Sequence, residues 1–369
     1  MKIVIAPDKF KGSLTANEFC DIVQAELLNQ FPELEIISIP LADGGEGTCD
    51  LLTQLSDGSR VEINVIDPLQ RKIRSSYGIS GDGKTAFIEM AKASGLQLLK
   101  PAERNCTITS TYGTGQLIRA ALDKGVTKIV MGIGGSATND AGLGMAKALG
   151  YRLFSHSGNE LDGVGADLTR LSHIDSSKAH PKIRQTKFIT LCDVNNPLYG
   201  PEGAAFVFAQ QKGANDDEIK MLDKGLQNLA TIANNMNCST DFPGAGAAGG
   251  LGAGSKLFLN ASIQPGIDFL MNYVRLEEKI NKADVVITGE GKLDHQTLSG
   301  KVVDGVAALA RKHQKKLIVI TGSSELSKKQ TDQMGITQVI TLKDHNTSES
   351  EAIDKAHDLL RNKVAQIQL

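Results

Sequence analysis

The sequence lacks every cysteine pattern that would indicate a disulfide framework or a zinc site. Its five cysteines are odd in number and form no C-x-x-C pair, at Cys20, Cys49, Cys106, Cys192 and Cys238. Disulfide-rich domains and structural zinc sites require paired or clustered thiols. The scattered cysteines therefore predict a reducing compartment, and the expected location is the cytoplasm.

Long apolar runs and blocks of one charge are also missing. No run is long enough to cross a bilayer. The opening MKIVIAPDKFKG has an apolar run that is too short for a signal peptide and is interrupted at Pro7. The formal net charge is -2, and no Lys/Arg block stands out. We therefore expect neither nucleic acid nor a membrane as a partner. A homo-oligomer is left open.

Repeated apolar runs predict an α/β fold. The chain has 369 residues, of which 41% are hydrophobic, enough for two domains. Glycine and polar residues follow each apolar run, namely KIVIA, LEIISIP, KIVMGI, KFITLC, DVVITG and KLIVIT. Such runs suit strands covered on both faces of a parallel sheet. Helical stretches such as TANEFCDIVQAELLNQF alternate with them, and Thr15 with Glu18 predicts a capping box.

Five apolar runs, at 3–6, 35–40, 284–288, 317–321 and 338–342, could form one sheet and predict a domain built from both chain ends. We expect residues 1–60 and 282–369 to form a doubly wound, mostly parallel α/β domain. Residues 61–281 would form a second, mixed α/β domain inserted into it. Within that insert, the segment at 60–80 alternates in polarity and predicts antiparallel strands. A ligand site is expected in a cleft between the two domains.

The loops that follow the apolar runs hold most of the residues suited to chemistry. In open α/β sheets, ligands bind beyond the carboxyl ends of the strands. These loops combine glycine amides, lysines and carboxylates, the three kinds of group that phosphoryl transfer requires. In DKFKGS, the candidates for an anion site are Lys9, Lys11, Gly12 and Ser13. The alternative is a solvated loop in which Ser13 or Thr15 caps the next helix.

Two further loops contain glycines between polar residues. In LADGGEGT, Asp43 and Glu46 could hold a metal ion or a substrate hydroxyl, or could form an acidic turn before a helix capped by Thr48. The stretch GIGGSATNDAGLGMAKALG has neither the ribose-binding acid of a dinucleotide site nor a Walker A ending. It therefore predicts a nest of donors followed by Asp140. The alternative is helix capping by Thr138 or Asn139.

Carboxylates also follow two other strands. Asp193 comes directly after KFITLC, with Asn195 close behind, and GEGKLDHQ supplies Glu290, Lys292, Asp294 and His295. A histidine in a loop is more often merely exposed. No H-E-x-x-H or G-x-S-x-G pattern occurs, which argues against a zinc protease and a serine hydrolase.

Several motifs together resemble one family, the type 1 glycerate kinases. The matching stretches are APDKFKGSLTA, PLADGGEGT, IEMAKASGL, STYGTGQLI, GIGGSATNDAGLGMAKALG, CDVNNPLYGPEGAAFVFAQQKGA, GAGAAGGLGAG and GEGKLDHQTLSGK. Gln70 and Lys292 stand where the family commonly has Gly and Arg. Lys292 keeps the positive charge of arginine but not its bidentate geometry, which disfavours a role for Lys292 in holding a phosphate or a carboxylate.

The resemblance implies phosphorylation of D-glycerate by ATP with Mg2+, in a fold of two α/β domains. The product it implies is 2-phosphoglycerate, with 3-phosphoglycerate as the alternative. It also implies that GAGAAGGLGAG is a structured, ligand-contacting loop, whereas composition alone would favour a flexible tether.

For this reaction we assign roles to the candidate residues. Lys9, Lys11, Gly12 and Ser13, together with the loop of Gly134, Gly135 and Ser136 and with Asn139, would bind the phosphates. Asp193 and Asp43 are the leading carboxylates, one binding Mg2+ and the other serving as base or orienting the hydroxyl. Asp294 and Glu290 are reserves for these roles, with Glu290 as a second metal ligand. Glu89 and Asp140 are weaker candidates.

Two other classes of protein remain as alternatives. One is an NAD(P)-dependent dehydrogenase of a small hydroxy acid that uses the glycines within 132–137, which the missing ribose acid disfavours. The other is a non-catalytic protein that binds sugar acids, which would not need so many carboxylates at strand ends.

Overall fold

Helices and strands alternate along most of the chain. The computed structural model describes residues 1–10, 12–42, 45, 47–295, 297, 301–343, 348–367 and 369. In this part of the chain the strands are β1 (Lys2–Ile5), β2 (Glu35–Ser38), β3 (Ser59–Ile66), β4 (Lys72–Ile79), β5 (Thr85–Glu89), β6 (Lys128–Gly132), β7 (Arg152–Ser155), β8 (Leu171–Asp175), β9 (Lys187–Leu191), β10 (Ser262–Gln264), β11 (Val285–Leu293), β12 (Lys316–Ser324) and β13 (Gln338–Thr341). The α-helices are α1 (Ala16–Gln30), α2 (Thr48–Leu55), α3 (Ala91–Ser94), α4 (Tyr112–Asp123), α5 (Leu143–Ala148), α6 (Ala204–Phe208), α7 (Asp216–Asn235), α8 (Ala247–Leu259), α9 (Gly266–Tyr273), α10 (Leu276–Asn281), α11 (Val302–Lys312), α12 (Lys328–Met334), α13 (Glu349–Asp354) and α14 (Ala356–Val364). Short 3-10 helices lie at Leu96–Leu98, Pro101–Glu103, Gly165–Thr169, Pro181–Gln185 and Gln210–Lys212.

One compact unit combines residues 1–43 with residues 267–369. Its sheet has the strand order β13-β12-β11-β1-β2, and all neighbouring strands are parallel. These are the strands predicted from the apolar runs, so the doubly wound parallel sheet is confirmed. A cluster of apolar side chains from the sheet, α1 and α14 forms one core, which includes Ile5, Phe19 and Leu360. Helix α11 packs against β11 and β12.

The strand order in this unit reverses between β1 and β11. Numbered by their order along the chain within the unit, the strands run 2-1-3-4-5 across the sheet. Connections leave β1 and β11 in opposite directions at such a point, which opens a crevice at the strand ends. The backbone N–H of Asp8 donates to the carbonyl of Gly289 at 2.8 Å, so the two strand ends lie side by side.

The other compact unit spans residues 44–266 and contains a mixed sheet. The strand order is β10-β9-β6-β5-β4-β3. Strands β5, β6, β9 and β10 pair in parallel, whereas β3, β4 and β5 pair antiparallel, as the alternating segment predicted. A separate antiparallel pair is formed by β7 and β8. A mixed second α/β domain is therefore confirmed.

The unit boundaries differ from those expected from the sequence. They fall after residues 43 and 266, earlier than the expected positions after residues 60 and 281. Residues 44–60 belong to the second unit because α2 packs against β4 and β5. Residues 267–281 belong to the first unit because α10 packs against α11.

Side-chain capping fixes the start of α1. Thr15 Oγ1 accepts from the N–H of Glu18 at 3.2 Å, and the N–H of Thr15 donates to the Glu18 carboxylate at 2.8 Å. The predicted capping box is thus confirmed. Among the helices of the described residues, none has both the length and the apolar character that a membrane crossing needs.

The glycine-rich stretch at 244–254 is structured and buried. It forms the entry to α8, where Ala248, Gly249 and Gly250 adopt left-handed backbone angles in succession. A side chain at Gly249 would overlap the carbonyl oxygen of Thr138. Glycine is needed here because the backbone of α8 packs directly on the loop that follows β6. The interpretation of this stretch as a flexible tether is therefore wrong.

Two glycine-to-alanine variants test this packing. Gly249 and Gly83 both have positive φ, at 68° and 72°, but a Cβ at Gly83 would meet no heavy atom within 4 Å. We expect Gly83→Ala to cost about 1 kcal/mol from backbone strain. Gly249→Ala should cost about 1–3 kcal/mol more because of the overlap. Urea denaturation of both variants measures the difference, and equal losses would contradict the close packing.

Candidate active site

Three of the predicted site residues lie on or just after β1 and β11, the adjacent strands between which the strand order of the first unit reverses. Lys9 lies after β1, and its N–H donates to Asp8 Oδ1 at 2.7 Å. Glu290 lies on β11, is 7% exposed, and accepts from Thr297 Oγ1 at 2.6 Å. The N–H of Asp294 donates to Thr297 Oγ1 at 3.1 Å. This end of the sheet therefore combines a lysine with two carboxylates.

The turn before α1 contains Gly12 and Ser13. The N–H and the hydroxyl of Ser13 both donate to the carbonyl of Phe10, at 2.9 and 3.2 Å. Thr15 provides the helix cap, so the alternative that Ser13 caps α1 is wrong.

The other predicted site residues near these strand ends differ in what the structure shows of them. Lys11, Asp43 and Glu46 lie outside the described residues. Lys292 forms an ion pair with Glu325 at 2.7 Å, and His295 is exposed.

A cavity of about 290 Å³ lies in the second unit, at the carboxyl ends of the parallel strands β6 and β9. It brings together the predicted residues Gly134, Gly135, Ser136 and Asp193 and adds Lys212, which the sequence analysis did not single out. The remaining lining residues are mostly apolar: Gly45, Leu96, Ile133, Leu191, Cys192, Val194, Phe208, Gln211, Ala247 and Ala248.

The loop after β6 presents backbone donors at this cavity. Gly135 has a φ of 74°, and its carbonyl accepts from the N–H of Leu96 at 2.8 Å. The N–H of Ala137 donates to the carbonyl of Ser94 at 2.9 Å, which fixes the other end of the loop. Within the described part of the chain, no acceptor is found for the N–H groups of Gly134, Gly135 and Ser136. Consecutive amides of this kind form a nest that binds anions.

Lys212 places a cation behind this loop. Its side chain is 2% exposed, and Nζ donates to Ser136 Oγ at 2.6 Å and to the Thr138 carbonyl at 2.8 Å. Burial lowers the pKa of Lys212 to about 8, while electrostatic interactions with Cys106 and Asp140 oppose part of this shift. The sequence held one signal for this residue, a single lysine at the end of the otherwise uncharged stretch AAFVFAQQK.

Asp193 lies directly beyond β9 and lines the same cavity. Its Oδ1 accepts from the N–H of Gly266 at 2.8 Å, and the residue is exposed. Glu89 ends β5, the strand next to β6, and its carboxylate accepts from the N–H of Gly47 at 3.3 Å. Carboxylates thus follow two strands of this sheet, one on each side of β6.

Asn139 and Asp140, which follow the glycine loop, are fully buried, and Asp140 stabilises the backbone around them. Asp140 accepts from the N–H and the hydroxyl of Thr111 at 2.8 and 2.7 Å, and from the N–H groups of Gly142 and Gly144. Burial raises the pKa of Asp140, and these hydrogen bonds oppose the rise. Helix α5 has Gly142 as its N-cap, so capping by Thr138 or Asn139 is wrong. The side-chain amide of Asn139 has no hydrogen-bond partner among the described residues.

The candidate metal ligands do not form a cluster by themselves. Asp193 lies in the second unit and Glu290 in the first. Across the described residues, no group of three or more His, Cys, Asp or Glu side chains could hold a metal ion.

The second unit thus has parallel strands that end in a glycine loop and a carboxylate, with a buried lysine beside the loop, an arrangement that α/β proteins such as phosphoryl-transfer enzymes use to bind anions. The sequence profile of the Glycerate kinase family matches residues 3–369. The chain therefore belongs to the glycerate kinase family and is a phosphotransferase, not a dehydrogenase.

Individual relatives agree with this assignment. The chain is 43% identical to the glycerate 2-kinase of Escherichia coli K12 over 97% of this chain and 94% of the relative. It is 44% identical to a glycerate kinase of Bacillus subtilis 168 over 93% and 90%. A crystal structure of a Salmonella typhimurium LT2 protein assigned as a glycerate kinase 2 superposes with a TM-score of 0.89, at 41% identity over 99% and 96% of the two chains.

A substitution at Asp140 separates a supporting role from a catalytic one. Asparagine offers one acceptor oxygen, and its amide group would face the N–H donors that now point at a carboxylate. We expect Asp140→Asn to lower the free energy of unfolding by about 1–3 kcal/mol. Asp217→Asn, at a side chain that is 95% exposed on α7 and forms an exposed ion pair with Lys220, is the control and should cost less than about 1 kcal/mol. Urea denaturation and kcat are measured together. Unchanged stability with a lowered kcat would instead indicate catalysis.

Proposed function

We propose that the protein transfers the γ-phosphoryl group of ATP to the 2-hydroxyl of D-glycerate and forms 2-phosphoglycerate. The observation that carries this proposal is the loop of Gly134, Gly135 and Ser136, which lines the same cavity as Lys212 and is hydrogen-bonded to its ammonium group through Ser136. The position of the product phosphate is proposed because the Escherichia coli relative is a glycerate 2-kinase.

The lining of the cavity favours the nucleotide as its ligand. Glycerate is small and polar throughout, whereas this cavity joins an amide nest to apolar residues such as Leu96, Ile133 and Phe208. A nucleotide has both kinds of surface, since its phosphates are charged and its base is largely apolar. We therefore propose that the phosphates bind the amides at Gly134–Ser136, and that the apolar side chains contact the rest of the nucleotide.

The residues of the first unit are proposed to serve the phosphates and the acceptor. Lys9 supplies a positive charge after β1, and the adjacent strand β11 carries the buried Glu290. Asp294 is a second carboxylate at this end of β11. The roles of Lys11, Gly12, Ser13 and Asn139 in phosphate binding stay predictions, as do that of Asp43 in catalysis and a cleft between the domains.

The donor set is compatible with Mg2+. Asp193 and Glu290 offer carboxylate oxygens, the ligand type that this ion prefers, and nucleotide phosphates would complete its coordination. When bound, the ion would neutralise charge that develops on the transferring phosphoryl group.

The reaction needs positioning and charge stabilisation, with no covalent intermediate on the protein. The acceptor oxygen forms a bond to the γ-phosphorus while the bond to the bridging oxygen breaks, and ADP leaves. The hydroxyl proton passes to a carboxylate, for which Asp193 and Asp43 are the proposed bases. The amides of the glycine loop hold the phosphate oxygens during transfer.

A coupled assay tests the function directly. Purified protein is supplied with ATP, Mg2+ and D-glycerate, ADP release is followed, and the product is analysed by NMR. We expect ADP release that depends on glycerate, and 2-phosphoglycerate as the product. The 3-phosphate would overturn the proposed position. Glycerate binding without ADP release would favour a binding protein.

Asp193→Asn tests the leading carboxylate. Asparagine keeps an Oδ1 that can accept from the N–H of Gly266, so we expect normal folding. Because a base or metal ligand is lost, kcat should fall roughly 100-fold or more. Asp175→Asn is a matched control, since Asp175 ends β8 and accepts from the N–H of Ser177 at 2.8 Å outside the cavity. Near-normal turnover of Asp193→Asn would remove this residue from the mechanism.

A further inference from the structure

The hydrogen bond between Lys212 and Ser136 determines what the serine hydroxyl can do. An ammonium group only donates hydrogen bonds, so Ser136 Oγ must accept in the 2.6 Å contact with Nζ. The hydroxyl proton of Ser136 is therefore left for another acceptor. Within the described part of the chain, no such acceptor is found.

Both side chains are buried at the wall of the cavity. Lys212 is 2% exposed and Ser136 is 6% exposed, and both line the cavity. Buried donors are nearly always satisfied because an unsatisfied one costs free energy. The hydroxyl of Ser136 stands beside the amides of Gly134 and Gly135, which also have no acceptor among the described residues. These donors together suit an anionic oxygen.

We propose that Lys212 is a positioning residue that holds Ser136 Oγ as an acceptor, so that the serine proton and the loop amides point at an anionic oxygen of the substrate. The inference rests on the proposed function. A nucleotide phosphate and the glycerate carboxylate both provide such an oxygen, and the experiment below distinguishes them.

Loss of the lysine proton would reverse this arrangement. A neutral amine can accept from the hydroxyl of Ser136, which would turn the serine proton away from the cavity. Because burial lowers the pKa of Lys212 to about 8, affinity for the anionic ligand should fall as the pH rises through this value. The neighbouring ionisable groups are Asp140 and Cys106 behind the lysine, with Asp193 and Cys192 in the cavity wall. Burial raises the pKa of Cys106 to about 11 and also raises that of Cys192, so both stay protonated in this range.

The test compares Lys212→Met, Ser136→Ala and the double variant with the wild type. Methionine keeps the length of the lysine side chain and removes its charge. Lys147→Met is the control because Lys147 Nζ also donates to a backbone carbonyl, that of Leu161, but the residue is not part of the cavity wall. Calorimetry measures the Kd of ADP and of D-glycerate separately, from about pH 7 to about pH 9. The coupled assay gives kcat and KM.

We expect Lys212→Met and Ser136→Ala each to weaken the binding of the same ligand, either ADP or D-glycerate, by about 10-fold or more. The double variant should lose little more than Lys212→Met alone, since both act on one hydrogen bond. The decline in affinity near pH 8 should be present in the wild type and absent in Ser136→Ala. Loss of ADP affinity would identify a phosphate oxygen, and loss of glycerate affinity would identify the carboxylate.

Other outcomes overturn the inference. Additive losses in the double variant, or wild-type affinities for both ligands in Ser136→Ala, would show that the pair does not act as a unit. If Lys212→Met does not fold, the affinity and pH profile of Ser136→Ala decide the question alone. If the wild type phosphorylates glycerate and the variants have the same affinities, kcat and KM as the wild type, only this inference is refuted. A wild type that binds neither ligand would refute the proposed function as well.

Discussion

Parallel main-chain pairing of β6 with β9 places Gly132 beside Leu191, and the chemistry of the second unit follows from that register. Because the two strands end together, the glycine loop after one and Asp193 after the other open onto the same cavity. A shift of one residue would turn the side chains of a strand to the opposite face of the sheet. The core of buried apolar residues on these strands, which includes Ile129, Met131 and Phe188, holds the register.

Buried polar groups hold the glycine loop in shape where side chains of its own cannot. Asp140 accepts from backbone and hydroxyl donors of α4 and α5, and Lys212 donates to Ser136 and Thr138 on the other side. These bonds leave the N–H groups of Gly134, Gly135 and Ser136 without an acceptor among the described residues.

Much of this arrangement was predictable from local pattern. The apolar runs identified every strand of the parallel sheet in the first unit, and the carboxylates that follow the runs marked Asp193 and Glu290. Lys212 could not be found this way, because it follows a helix and reaches the loop after β6 only through the tertiary fold. Asp140 was hard to assign for a related reason. A carboxylate in a glycine-rich loop has the same sequence pattern whether it faces a ligand or accepts from buried amides.

The unit boundaries were misplaced because patterning identifies elements better than their packing partners. The amphipathic pattern of helix α2 would suit packing against the sheet of either domain. Only its contact with β4 and β5 assigns it to the second unit. Similarly, composition alone cannot distinguish a tether from the left-handed entry to α8. That distinction depends on the contact of Gly249 with Thr138, which lies far from it in the sequence.

The interior position of β1 in its sheet has a consequence for how the chain folds during synthesis. This strand pairs with β11 on one side and β2 on the other, so the ribosome must synthesise residue 285 and beyond before the sheet can close around it. Residues 44–266 are complete well before then. We expect the inserted unit to fold first during synthesis. The amino-terminal segment would complete its sheet only after β11 to β13 have been synthesised.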